Sequence, residues 1–184
     1  PGVGGHGGEL GGFAGLDDKA LPRRDGQTKT FELRGYDAGT ELNTELNAAA
    51  RAPGMLDVMR AAGYEAMQAA LADGATIMPI INMPAVMSNH PERYVDQIFE
   101  RVLTTYSRED TLTCSLQDWR KGRRAEVDDV NGIVVEVLKA HGRDAPINRR
   151  VVEIARQIEA GALAPRPENA ALMIETYMTS DWAD

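Results

Sequence analysis

The chain has 184 residues, 43% hydrophobic and only 5% aromatic, with a formal net charge of −8. That length suits one domain with a sizeable core of Ala, Val, Ile, Leu and Met, and the acidic balance argues against non-specific nucleic-acid binding, which needs a basic surface. A single cysteine, Cys114, excludes an intrachain disulfide and any multi-cysteine zinc site, and His6, His90 and His141 are too scattered for a histidine metal site.

Residues 1–15 are glycine-rich, and Gly2-Val3-Gly4-Gly5-His6-Gly7 formally satisfies GxGxxG. That pattern holds a dinucleotide only between a strand and a helix N-terminus. Only Pro1 precedes it, and Gly11-Gly12 interrupts any helix after it, so residues 1–50 read as an irregular lead-in. Within that lead-in, Thr28–Leu33 is predicted to form a short strand.

Helical patterning begins near Pro53-Gly54. Met55, Val58, Met59, Ala62, Ala66, Met67, Ala70 and Leu71 recur at three- and four-residue steps and predict one helix face, stopped by Gly74. Ala75–Val86 is apolar but contains Pro79 and Pro84, which predicts an extended, buried connection. Asn89-His90-Pro91 opens the next helix, with Tyr94, Val95, Ile98, Phe99 and Val102 as its buried stripe. A further helix is expected over Asp110–Lys121, with Leu112, Leu116 and Trp119 inward and Gly122 as its end.

Ala125–Ala140 is the best-marked helix: Val127, Val130, Val134, Val137 and Leu138 are expected inward, with Gly142 as the stop. Pro146 and Asn148 open Ile147–Ala160, whose stripe is Val151, Ile154, Ala155 and Ile158, and Gly161 ends it. A last helix is expected over Glu168–Met178. The sum is an all-α bundle of five or six helices over residues 51–184. No run approaches the roughly 18 apolar residues of a membrane span. The N-terminus has no basic-then-apolar signal pattern either, so a cytoplasmic protein without membrane contact is expected.

Polar groups concentrate between Thr113 and Asn131. They are Thr113, Cys114, Ser115, Gln117 and Asp118, then Glu126, Asp128, Asp129 and Asn131. Glu126 lies in the first turn of a helix, where the dipole favours its ionised form, and out of phase with the valine stripe. Two readings remain open from pattern alone: an acid that stabilises the helix, or a carboxylate aimed into a cleft. Asp118 reads as a solvated or turn acid. Cys114 has no histidine near it in sequence to act as a base and reads as a small buried or cleft-lining side chain. A glycine inside a helix costs about 1 kcal/mol relative to Ala, so Asn131-Gly132 points to close packing against another helix or a ligand. Arg120, Lys121, Arg123 and Arg124 form either a solvated turn or a patch facing an anionic ligand.

The stretch SLQDWRKGRRAEVDDVNGIVVEVLKAHGRDAPIN resembles the C-terminal-domain signature of the ketopantoate reductase (2-dehydropantoate 2-reductase) family. Gln117, Asp118, Gly122, Arg123, Glu126, Asp128, Asn131, Gly132, His141, Gly142, Pro146 and Asn148 stand in register without a gap. Glu65 sits where the family carries a helix glutamate. The resemblance implies an all-α bundle like the C-terminal domain of 6-phosphogluconate dehydrogenase-type reductases, with a substrate-binding and dimerisation role for residues 51–184. It also implies a two-domain enzyme in which a Rossmann domain holds NADPH and the helical domain closes over a 2-keto acid. Hydride then passes to the keto carbon while a lysine donates a proton or polarises the carbonyl.

Within that resemblance, Glu126 matches the glutamate that hydrogen-bonds the substrate and organises the lysine. Cys114 falls where the family usually has a substrate-binding serine. A thiol is a weaker donor, so Thr113 or Ser115 is a candidate to replace the contact, with Asp118 and Asn131 as further substrate-side residues. The chain shows no strand–GxGxxG–helix unit and no βαβ alternation, so the implied partners are a separate Rossmann domain or chain and a second copy in a homo-oligomer. The family's K-x-x-x-N-x-x-x-N motif has its nearest trace in Asn43 and Asn47, which puts Gly39 at the lysine position. The alternative is a non-catalytic helical module, derived from the same family, for dimerisation or ligand binding.

Overall fold

The structure, a computed structural model, describes residues 23–24, 27–28, 51–78, 92–106 and 112–183. The glycine-rich start, the Asn43/Asn47 trace, most of the connection toward Val86 and the Asn89-His90-Pro91 opening lie outside the described residues. Strands β1 (Arg23–Arg24) and β2 (Gln27–Thr28) pair antiparallel, with Arg23 opposite Thr28. Of the strand expected over Thr28–Leu33, Thr28 lies in β2 and the remainder lies outside the described residues. All other regular structure among the described residues is helical, and the bundle is all-α.

The central helix, α1 (Met55–Ala72), is buried on nearly every side. Composition explains this. Met55, Val58 and Met59 fill the main core, while Ala61, Ala62, Ala66 and Ala69 are small enough for neighbours to close in from several directions. A helix that is apolar all round belongs inside. Its last turn meets the C-terminal half of the chain through Ala66 and Ala69, in a second small cluster with Val134, Val137, Leu138 and Ala145. That orientation turns Leu71 outward to 42% exposure, against the inward place expected for it.

The next helix, α2 (Glu92–Arg101), continues into a π turn, Val102–Tyr106. Tyr94, Val95, Ile98, Phe99 and Val102 are all buried, as the predicted stripe required. Gly63 lets α1 and α2 approach: a Cβ there would stand 2.9 Å from Val95 Cγ1 and 3.2 Å from a Phe99 ring carbon. The Tyr94 hydroxyl donates to the Met78 carbonyl at 2.9 Å, and burial pushes its pKa up to about 12.

Four further segments complete the bundle. They are α3 (Cys114–Arg120), a π turn (Asp128–Gly132) running into α4 (Ile133–Ala140), α5 (Pro146–Glu159), and a short 3-10 turn (Pro167–Asn169) leading into α6 (Ala170–Met178). The main core joins α1 and α2 to α5 and α6 through Ile147, Val151, Ile154 and Met173. At the end of α4, Gly142 takes φ 71°, the Arg143 N–H reaches the Leu138 carbonyl at 2.9 Å and the Gly142 N–H reaches Lys139 at 3.1 Å. This left-handed ending suits a residue without a Cβ. The same hydrogen-bond pair recurs at the predicted stops after α1, α3 and α5. No helix among the described residues is long and apolar enough to cross a membrane.

Two expectations for Ala125–Ala140 change. Val130 is half-buried and Asn131, at 2% exposure, takes the inward place. A turn closed by i→i+5 bonds takes more residues per revolution, so the inward direction is met at the fourth residue after Val127 rather than the third. Gly132 is not a point of tight packing: a Cβ there would meet only Asp128 and Val127, both no nearer than 3.8 Å.

Candidate functional site

Helix α5 begins with Pro146 after Ala145, a cap residue with no side chain able to accept from the first free N–H groups. The acceptor comes from α1. Glu65, with 0% exposure, accepts from the backbone N–H of Ile147 at 2.9 Å and of Asn148 at 2.8 Å. It also accepts from Asn148 Nδ2 at 2.7 Å and from Trp182 Nε1 at 3.1 Å. Burial pushes its carboxyl above the ordinary 4.5, and these four donors offset part of that rise. Trp182 also stacks on Tyr64, with ring centroids 5.8 Å apart, so the C-terminal segment folds back over the carboxylate.

The network extends toward the region singled out by sequence. Asn148 Nδ2 donates to the Ala62 carbonyl at 3.0 Å as well as to Glu65, which leaves Asn148 Oδ1 to accept from Asn131 Nδ2 at 2.8 Å. Asn131 Oδ1 is buried without a hydrogen-bond partner among the described residues. A second carboxylate, Glu159 at the far end of α5, accepts from the Ala125 N–H at 2.9 Å and from Trp119 Nε1 at 3.3 Å. Between these anchors Asp128 is held by Arg156 at 2.7 Å and by Arg124. Slight burial pushes the Asp128 carboxyl up, but the two guanidinium groups outweigh it and set its pKa below the ordinary value of 3.8.

The residues expected to carry chemistry have distinct settings. Thr113 is buried and caps α3, its Oγ1 accepting from the Leu116 N–H at 3.4 Å. Cys114 is exposed at the start of that helix, and Ser115 beside it is buried. Asp118 pairs with Arg123 at 3.0 Å across the Gly122 turn. Glu126 is exposed, and its carbonyl accepts from the N–H groups of Asp129 and Val130, each at 3.0 Å. Asn131 is turned into the buried network. The basic cluster is charge-paired in part, Arg123 to Asp118 and Arg124 to Asp128 and Glu159.

Neither of two surface clefts collects these residues. One, of about 630 Å³, lies between the start of α5 and the C-terminal segment, with Gln68, Arg143, Arg149, Ser180 and Trp182 on its walls. The other, of about 420 Å³, lies beside Trp119, Arg123, Arg124 and Glu159. Glu126 and Cys114 are exposed and line neither of these two clefts. Among the described residues, no three His, Cys, Asp or Glu side chains converge to hold a metal ion. The described residues also offer no strand followed by a glycine loop and a helix, the unit that seats a dinucleotide pyrophosphate.

Sequence reasoning marked Glu65 only by its position and missed Glu159, Arg156 and Trp182. One local signal was present: a helix opened by Pro after Ala has no cap of its own, so its acceptor must come from elsewhere.

The fold is an all-α bundle whose central helix carries a buried carboxylate that caps α5, with an exposed glutamate ahead of a π turn. Residues 39–159 match the family described as ketopantoate reductase PanE/ApbA C terminal. That is more than half of the chain, and the chain belongs to this family. The match begins at Gly39. The bundle is also similar to a crystal structure of a PanE/ApbA family ketopantoate reductase from Ralstonia eutropha JMP134, with a TM-score of 0.56 and 23% identity. The similarity covers 70% of this chain and 39% of that one, so the chain spans well under half of that relative's length. The likeness at this identity speaks for the fold alone. No curated protein matches the chain by sequence.

Proposed function

We propose that residues 51–184 form the substrate-binding half of an NADPH-dependent reductase that converts a 2-keto acid to a 2-hydroxy acid, working in the cytoplasm with a Rossmann domain or chain and as a homo-oligomer. The observation that carries the reading is the family match over residues 39–159 together with the setting of Glu126. Its carboxylate is exposed, at the entry to a helix, on a backbone fixed by neighbours on both sides. Seated in its own domain, NADPH would supply a hydride to the keto carbon.

The residues of this chain bind and orient. Glu126 accepts a hydrogen bond from the substrate or from an ammonium that protonates the substrate. Cys114 presents its thiol on the same polar stretch, with the Thr113 hydroxyl and Ser115 as neighbouring donors. Asp118 and Asn131 act one layer back, through the Gly122 turn and the π turn. The exposure of Glu126 and Cys114 fits this role, because a second domain closing over them would complete the pocket and exclude water.

The test is reconstitution with a separately expressed NADPH-binding half. Glu126→Ala should lower the rate of 2-keto acid reduction by about 100-fold or more, the usual scale for a positioned proton-transfer group. A near-wild-type rate would remove Glu126 from the site. Gly39 at the lysine position supports a second reading, a non-catalytic module for dimerisation or ligand binding. Under that reading the reconstituted pair would bind the keto acid and not reduce it.

A further inference from the structure

We infer that α5 acts as a splint that aims Glu126, with Arg156 and Asn148 as positioning residues; this rests on the role proposed for Glu126 above. The stretch from Ala125 to Asn131 runs antiparallel to α5 and is fastened to it at three points. The Ala125 N–H donates to Glu159 at 2.9 Å, Asp128 accepts from Arg156 at 2.7 Å, and Asn131 donates to Asn148 at 2.8 Å. Glu126 lies between the first and second of these. Its neighbours Ala125 and Val127 are buried at 7% and 5% exposure, so the backbone on either side is held while the carboxylate stays outside.

A π turn needs such support. Its i→i+5 bonds are less favourable than those of an α-helix, and isolated π turns in proteins gather at functional sites. Here the Glu126 carbonyl already bonds to Asp129 and Val130, at the start of the turn. Relaxation of Asp128–Gly132 to α geometry would therefore rotate Glu126 relative to α4, whose Val134, Val137 and Leu138 are locked in the core. The three fastenings oppose that rotation. The orientation of the last one is dictated from further inside: Asn148 spends its Nδ2 on Glu65 and Ala62, so only its Oδ1 can face Asn131. Glu65 thus sets the far end of the splint, and Arg156 and Glu159 set the near end.

The test uses the 184-residue chain for structure and the chain with its NADPH-binding half for rate. In Arg156→Ala, whose arginine side chain is 66% exposed, the fold should be kept. Trans-hydrogen-bond couplings should show loss of the π pattern, and three-bond couplings should show a changed Glu126 χ1 distribution relative to wild type. The value of kcat should fall about 10- to 100-fold with KM little changed, as for misaligned groups. Arg156→Lys should recover most of the rate, and Asn131→Leu should repeat the structural change. An intact π turn and an unmoved Glu126 in both Arg156→Ala and Asn131→Leu would overturn the splint, whatever the rates. A shifted Glu126 with unchanged kcat, in a system where Glu126→Ala abolishes reduction, would overturn its link to chemistry. If Glu126→Ala leaves the rate intact, the functional reading has failed by itself, and the couplings alone decide the splint.

Discussion

Two carboxylates, Glu65 and Glu126, lie in opposite surroundings, and the contrast separates what folds this domain from what it does. Glu65 is sealed inside, with four donors on its two oxygens drawn from two distant parts of the chain, the start of α5 and the C-terminal segment. Glu126 is exposed, with its backbone fastened and its side chain outside. A buried charge persists only where every lone pair is used, so Glu65 specifies one arrangement of α1, α5 and the C-terminal segment. An exposed acid on a braced backbone gives little stability and lies where a ligand can reach it.

The largest expected effect lies on the buried side. Glu65→Ala strands the Ile147 and Asn148 N–H groups, the Asn148 amide and the Trp182 indole, and should cost about 4 kcal/mol or more. Urea unfolding measures it, and a loss under 1 kcal/mol would show that the network is not what joins these helices. Next is Gly63→Ala. On helix propensity alone it should gain about 1 kcal/mol. The 2.9 Å approach to Val95 instead predicts a net loss of about 1–3 kcal/mol from overpacking, read as a lower melting temperature. Net stabilisation would mean that α2 yields.

The smallest effect is electrostatic and confined to acid. The folded Asp128 pKa lies below 3.8, so its pairing with Arg156 and Arg124 stabilises the native state above that pH and is lost as pH falls through the folded value. The melting-temperature gap between wild type and Asp128→Asn should hold from neutral pH to about 4 and close below it. A gap that widens in acid contradicts the sign.

What the sequence revealed follows from how local each cause was. Helix ends were legible because the glycine, the preceding stripe and the closing hydrogen bonds all lie within six residues, as at Gly142. The α2 stripe was legible because one face meets one core. The role of Glu65 was not, since the family signature marked it and Asn148 separately and its partners are 82, 83 and 117 residues away. Gly63 hid for the same reason: the side chains it admits belong to another helix. The π turn hid because Val127, Val134 and Val137 fit an ordinary helix equally well, which made Val130 the inward choice over Asn131. Of the candidate site, residue identities came from the family signature. Their division into an exposed Glu126 and Cys114, a surface-paired Asp118 and a buried Asn131 needed the three-dimensional arrangement.

The most direct test of the contrast is one crossed measurement, Glu65→Gln against Glu126→Gln, each assayed for unfolding and for 2-keto acid reduction with the NADPH-binding half. Both changes preserve shape and replace a carboxylate oxygen with an NH₂ group. Glu65→Gln sets that group against donors and should lower stability by several kcal/mol, on the order of 3. Glu126→Gln should leave stability within about 0.5 kcal/mol, as an exposed substitution does, and cut the reduction rate by about 100-fold or more. The reverse pattern, a stable Glu65→Gln with an unfolded or fully active Glu126→Gln, would contradict the account.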